Sequence, residues 1–136
     1  DEIIMRFEDA VNGREYPKPD VTLEMKMYNI LQNEGIEKLE SSLKQLLESN
    51  GMLYNDRHLN FFGYELMNDN KLDDAIEVFK LNAKLFPGEP NVWDSLAEAY
   101  MNKGENELAI TSYRKVLELA PNNPNAKKML EKLGAK

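Results

Sequence analysis

The chain has 136 residues, 42% of them apolar and 30% charged, with a net charge of −7. That size suits one domain of ordinary length, and the balance excludes both a disordered acidic tail and a run of the ~18 apolar residues that a spanning helix needs. Seventeen Lys and Arg are spread along an acidic chain, so nucleic acid is not an expected partner, because phosphate neutralisation needs clustered cations. With no cysteine, disulfides, zinc thiolates and a cysteine nucleophile are excluded.

The chain opens Asp-Glu-Ile, without Met and without the basic start and apolar core of a signal peptide. It is expected to be a processed product or a piece of a larger protein. Ile3, Phe7 and Ala10/Val11 lie at helical spacing over residues 1–11, ended by Gly13. Residues 12–20, with Pro17 and Pro19, read as an extended connector, so residues 1–19 form an N-terminal helix and linker. Asp20 is placed to cap a helix reaching about Glu34, stopped by Gly35. Ile36, Leu39, Leu43, Leu46 and Leu47 then make one stripe on a helix that ends near Asn50-Gly51. Residues 20–55 are thus a helical hairpin.

From Asp56 the pattern is periodic. Helices are predicted at about 56–69, 72–86, 90–103 and 106–119, and a capping helix falls within 124–136 at about 124–134. The links are short and polar, which forces neighbouring helices antiparallel. No stretch of period-two alternation competes, so the chain is expected to be all-α.

The octets LNFFGYEL (59–66) and WDSLAEAY (93–100) stand 34 residues apart. Unit 90–123 carries Trp93, Leu96, Ala97, Tyr100, Gly104, Ala109, Tyr113 and Pro121. Unit 56–89 carries Leu59, Phe62, Gly63, Leu66, Ala75, Phe79 and Pro87 at the corresponding places. This pattern resembles the tetratricopeptide repeat family. Small residues stand where two helices must approach, large ones fill the gap, and Pro87 and Pro121 end each second helix. Residues 22–55 resemble a degenerate unit, with Ser41 and Gln45 where Ala and an aromatic residue belong. The implied fold is antiparallel hairpins stacked as a short right-handed solenoid. Trp93, read as a packed interface residue, should cost about 3–5 kcal/mol on truncation to Ala.

Catalytic motifs are weak. Ser41-Ser42-Leu43-Lys44 matches S-x-x-K and Tyr100-Met101-Asn102 matches Y-x-N, but K-T-G is missing and Ser41 and Lys44 fall on a solvated face. His58 is the only histidine and has no nearby nucleophile in sequence to activate. Asp69, Asp73 and Asp74 lack the loop of an EF-hand and read as turn and N-cap carboxylates. No catalytic, cofactor-binding or metal-ligating residue is expected.

The remaining candidate is a surface. In tetratricopeptide proteins the first helices line a groove for extended peptides. By resemblance the groove places are Arg57, Asn60, Phe61, Tyr64, Met67 and Asn68 in one unit, and Asn91, Asp94, Ser95, Glu98, Met101 and Asn102 in the next. Family members that clamp a terminal carboxylate use basic and Asn residues there. Asp94 and Glu98 would repel one, while Phe61, Tyr64, Met67 and Met101 offer a soft apolar strip. The alternative is that the hairpin 20–50 covers Phe61 and Tyr64.

The order of pieces adds a second resemblance. An N-terminal helix, GREYPKP, an EGIE-type hairpin and LNFFGYELMNDNKLDDAIEVFKLN are similar to the C-terminal region of bacterial β-lactamase-like serine hydrolases. That implies an accessory tail of a bacterial periplasmic or exported enzyme, serving domain packing or dimerisation, with the nucleophile upstream. Ile3, Ile4 and Phe7 would dock on the upstream domain. Expected partners are therefore a protein or peptide, an upstream domain of the same chain, or a second copy in a homodimer.

Overall fold

The computed structural model describes residues 22–135, and these form seven α-helices and no strand. The helix and linker expected over residues 1–19, the Asp20 cap and the Ile3-Ile4-Phe7 face lie outside the described residues. The chain divides into two units, one ending at Tyr54 and the other beginning at Asn55.

The first unit contains α1 (Leu23–Glu34) and α2 (Ile36–Ser49), which pack against each other. Within the described residues α1 is capped by Thr22, whose Oγ1 accepts from the Met25 amide at 3.2 Å. Such a bond satisfies one of the amides that a helix start leaves open. Gly35 ends α1 and begins α2 with φ +94°, its N–H donating to the Ile30 and Leu31 carbonyls. A side chain is strained at that φ, so the sharp reversal needs glycine. Leu39, Leu43 and Leu47 are fully buried at spacings of four along α2, and Lys26 Nζ donates to Asn50 Oδ1 at 3.2 Å across the hairpin.

The second unit contains α3 (Arg57–Asn68), α4 (Leu72–Leu85), α5 (Pro90–Lys103), α6 (Asn106–Leu119) and α7 (Pro124–Lys132). Each packs on the next, and α3 also touches α5. Two hairpins, α3–α4 and α5–α6, are therefore stacked in series, with α7 closing the end.

The 34-residue register reappears as repeated backbone devices. Phe86 and Ala120 follow the ends of α4 and α6 with extended φ of −130° and −140°. Each precedes a proline, Pro87 or Pro121, whose ring disfavours helix in the residue before it. Pro90 and Pro124 then open α5 and α7 at the first helical position, where a missing N–H costs nothing. Between the helices of each hairpin a left-handed residue turns the chain. It is Gly104 (φ +86°) in one and Asn70 (φ +62°) in the other. Both turns carry the same bonds, Glu105 N–H to the Tyr100 carbonyl and Lys71 N–H to the Leu66 carbonyl, each 2.9 Å. Asn tolerates this conformation better than other side chains.

Asp73 and Asp74 sit inside the first turn of α4 and do not cap it; its N-cap is Lys71, which makes no side-chain cap bond. The carboxylates still suit the positive end of the helix, and Asp73 receives Lys103 Nζ at 2.6 Å.

Packing explains the small residues. Gly63 lies against the Phe79 ring, and both are buried. In the next unit the same places hold buried Ala97 and Tyr113. The end of the stack is sealed by Ala126 and Leu130 of α7, which join Ala97, Ile110, Tyr113 and Val116. Trp93 is only partly buried at the margin of that cluster. Its Nε1 donates to the Pro87 carbonyl at 2.8 Å, and Lys115 lies 5.8 Å from its ring centroid. The indole is therefore a flanking contact, so full burial overstates its contribution.

Asn82 is the fully buried polar residue of α4. Its Nδ2 donates to the Asp56 carbonyl at 2.8 Å, the same carbonyl that receives the Asn60 amide. The buried amide thereby ties the start of α3 to α4.

Candidate peptide-binding groove

The first helices of the hairpins, α3 and α5, face each other along one side with α7 beyond them. Bonds between adjacent helices cross at successive turns. Ser95 Oγ donates to Asn60 Oδ1 at 2.5 Å. Tyr64 OH donates to Glu98 Oε1 at 2.8 Å. Asn102 Nδ2 reaches Met67 Sδ at 3.5 Å. Between α5 and α7, Asn125 Nδ2 donates to Asp94 Oδ1 at 2.9 Å.

The structure thus brings Asn60, Tyr64 and Met67 against Ser95, Glu98 and Asn102. Ser95 is almost fully buried and spends its hydroxyl on Asn60, so it packs the helices together. Arg57, Asn68, Asn91 and Asn102 are exposed, while Asn60, Met67, Asp94, Glu98 and Met101 are partly exposed. Phe61 stands out with 52% of its surface exposed. Tyr64 is half-buried, its ring meeting the Phe79 ring edge-on at 5.2 Å and 68°. That contact and the bond to Glu98 hold both side chains in one orientation.

Two partners escaped the sequence reading. Asn125 occupies the place on α7 that Asn91 holds on α5, and carrying the 34-residue register into α7 would have found it. Tyr113 lies buried behind the groove on α6, where the charges of Asp94 and Glu98 act on its phenol. Burial pushes its phenol up to about 12, with the charges of Asp94 and then Glu98 adding to the shift. Burial also raises the Tyr64 phenol well above its ordinary value. The Ser95 hydroxyl opposes that shift, while Glu98 and Asp94 reinforce it. Both phenols therefore stay protonated under ordinary conditions, and that of Tyr64 donates to Glu98.

The S-x-x-K serine has a structural occupation instead. Ser41 is exposed and its hydroxyl donates to the Lys38 carbonyl at 3.1 Å. Lys44 is exposed on the same helix. No three His, Asp or Glu side chains converge on a metal-sized site among the described residues, and none of their helices is long and apolar enough to cross a membrane.

The tetratricopeptide repeat family model matches residues 90–123. That segment is thus similar to a tetratricopeptide repeat. A tetratricopeptide repeat domain-containing protein of Arabidopsis thaliana, the chloroplastic PYG7, is 37% identical over 68 residues. Those residues are 50% of this chain and span 23% of that relative's length. Among solved structures, the first tetratricopeptide domain of human RPAP3 superposes with a TM-score of 0.59 at 20% identity, covering 82% of this chain and 87% of that one. The first tetratricopeptide domain of Spaghetti (RPAP3), bound to the HSP90 peptide SRMEEVD, gives 0.59 and 20%, over 82% and 89%. The Yersinia enterocolitica type III secretion chaperone SycD, in complex with a peptide of the translocator YopD, gives 0.52 and 22%, over 82% and 84%. At such identities these likenesses establish the helical-repeat fold. None of these relatives is a serine hydrolase, so they lend no support to the β-lactamase-like arrangement.

Proposed function

We propose that this tetratricopeptide chain is a non-catalytic interaction module that holds an extended segment of a partner protein along the shared face of α3, α5 and α7. The observation that carries the reading is Phe61: a half-exposed aromatic on a helix whose neighbouring groove side chains are already fixed by bonds between helices. Binding would add contact area at little cost in side-chain ordering. Met67 and Met101 add adaptable apolar surface beside it. The peptide-bound forms of RPAP3 and SycD support the reading, since that fold accepts peptides in both.

The test is selection of random dodecapeptides on the full chain, followed by affinity measurement with Phe61→Ala and Tyr64→Ala. Selected peptides should bind each variant about tenfold more weakly or worse, with helical circular dichroism unchanged for Phe61→Ala. Peptides that bind both variants as tightly as the parent would refute the groove.

A further inference from the structure

The charge on this face is banded by helix. At the two inward places one turn apart, α3 presents Asn60 and Tyr64, and α5 presents Asp94 and Glu98. At the same places on α7 stand Lys128 and Lys132, both exposed. Each α5 carboxylate has one oxygen held by a neutral donor, Glu98 by the Tyr64 hydroxyl and Asp94 by the Asn125 amide. Neither has a cationic partner among the described residues. Hydrogen bonds from neutral groups fix the carboxylates without cancelling their charge. The same charges, after burial, help to hold the Tyr113 phenol above its ordinary value.

We infer that the groove selects a segment bearing a lysine or arginine next to a large apolar side chain, with the cation received by Glu98 and Asp94 and the apolar group resting on Phe61. This inference rests on the groove reading above and adds the chemistry of the occupant. Charge complementarity decides it. Half-buried carboxylates bind a cation more strongly than exposed ones, because charge-assisted hydrogen bonds strengthen where water is partly excluded. Arg57, exposed on the first turn of α3, and the α7 lysines repel a second cation on either side. The binding place for positive charge is thereby confined to α5. The same carboxylates oppose an acidic segment, so this groove is tuned away from ligands that present a carboxylate.

The experiment uses fluorescein-labelled, C-terminally amidated peptide pools on the full chain. The pools share leucines flanking a central position fixed as lysine, norleucine or glutamate, with uncharged mixtures elsewhere. Anisotropy is read for the parent, for Asp94→Asn/Glu98→Gln and for Phe61→Ala. The new amides of the double variant keep an oxygen to accept from Asn125 and Tyr64, so the fold is retained, which matched thermal melts verify. The lysine pool should bind about tenfold more tightly than the norleucine pool, and the glutamate pool most weakly. The double variant should erase that order, so that the lysine and norleucine pools bind it alike. Phe61→Ala should weaken every pool. If the lysine preference is missing, or survives in the double variant, while Phe61→Ala still weakens binding, the inference falls and the groove stands. If no pool binds, or Phe61→Ala weakens none, the groove reading falls and the inference with it.

Discussion

Gly63→Ala separates packing from propensity by the sign of its effect. Gly63 lies within α3, where replacing glycine by alanine should stabilise by about 1 kcal/mol on helix propensity alone. The structure predicts the reverse. A Cβ at that position would stand 2.7 Å from both Cδ1 and Cζ of Phe79 and closer still to Cε1. The ring has little freedom to retreat, being fully buried and set edge-on against Tyr64. Overpacking a filled core costs roughly 1–3 kcal/mol, and a rigid ring places this site near the upper figure. The net expectation is destabilisation by about 2 kcal/mol, read from urea unfolding followed by circular dichroism.

A double-mutant cycle with Phe79→Leu tests the cause. Phe79→Leu alone should destabilise by leaving a cavity, but it makes room for the added methyl. The pair should therefore be more stable than the sum of the single effects by about 1 kcal/mol or more. Gly63→Ala raising stability would refute the close approach of α3 and α4 at this point. Additive effects would show that the clash lies elsewhere.

Two further predictions follow from burial. Trp93→Ala should cost about 2 kcal/mol in urea unfolding, less than a fully buried aromatic, because the indole is partly exposed and its loss removes one hydrogen bond; a loss above about 4 kcal/mol would place it in the core. Stability should decline at alkaline pH. Tyr113, ordinarily 10.0, is raised to about 12, and Tyr64 and Tyr100 are raised too, all three chiefly by burial. Because the folded chain holds these protons more tightly, the contribution is complete below pH 10.0 and is lost for Tyr113 as pH rises to about 12. Urea midpoints and tyrosinate absorbance across that range measure it, and Tyr113→Phe should flatten the decline; an unchanged slope would contradict the assignment.

Helix limits were legible because backbone chemistry sets them locally. Pro90 and Pro124 fix two starts, and Gly35 and Gly104 fix two reversals, each through a dihedral constraint that spacing alone reveals. Asn70 was less visible: its left-handed turn repeats that of Gly104, and only the repeat register draws attention to it. Depth of burial was not legible. Spacing places Trp93, Ser95 and Phe61 on faces of their helices, yet Ser95 is nearly buried, Trp93 is marginal and Phe61 is half exposed. Those differences depend on neighbours from other helices. The same holds for Asn125, which bonds Asp94 from α7, and for Tyr113, which lies buried behind the groove on α6.

Comparing the two units place by place separates the work of the scaffold from that of the surface. Ala75 and Ala109, Ile76 and Ile110, Phe62 and Leu96, and Phe79 and Tyr113 are buried alike, so the interior is answered by similar volumes. On the groove side the pairs are unlike: Asn60 against Asp94, Phe61 against Ser95, Tyr64 against Glu98. Packing alone requires no such divergence. Nor are the unlike residues independent, since Ser95 bonds Asn60 and Tyr64 bonds Glu98. Each unit supplies the group that the other lacks, and the result is one apolar band beside one acidic band. A stack of identical units would present the same side chains on every rung. The divergence of paired places is therefore what turns a repeated scaffold into a face with a direction, and a bound segment would have its orientation chosen by which band meets its cation.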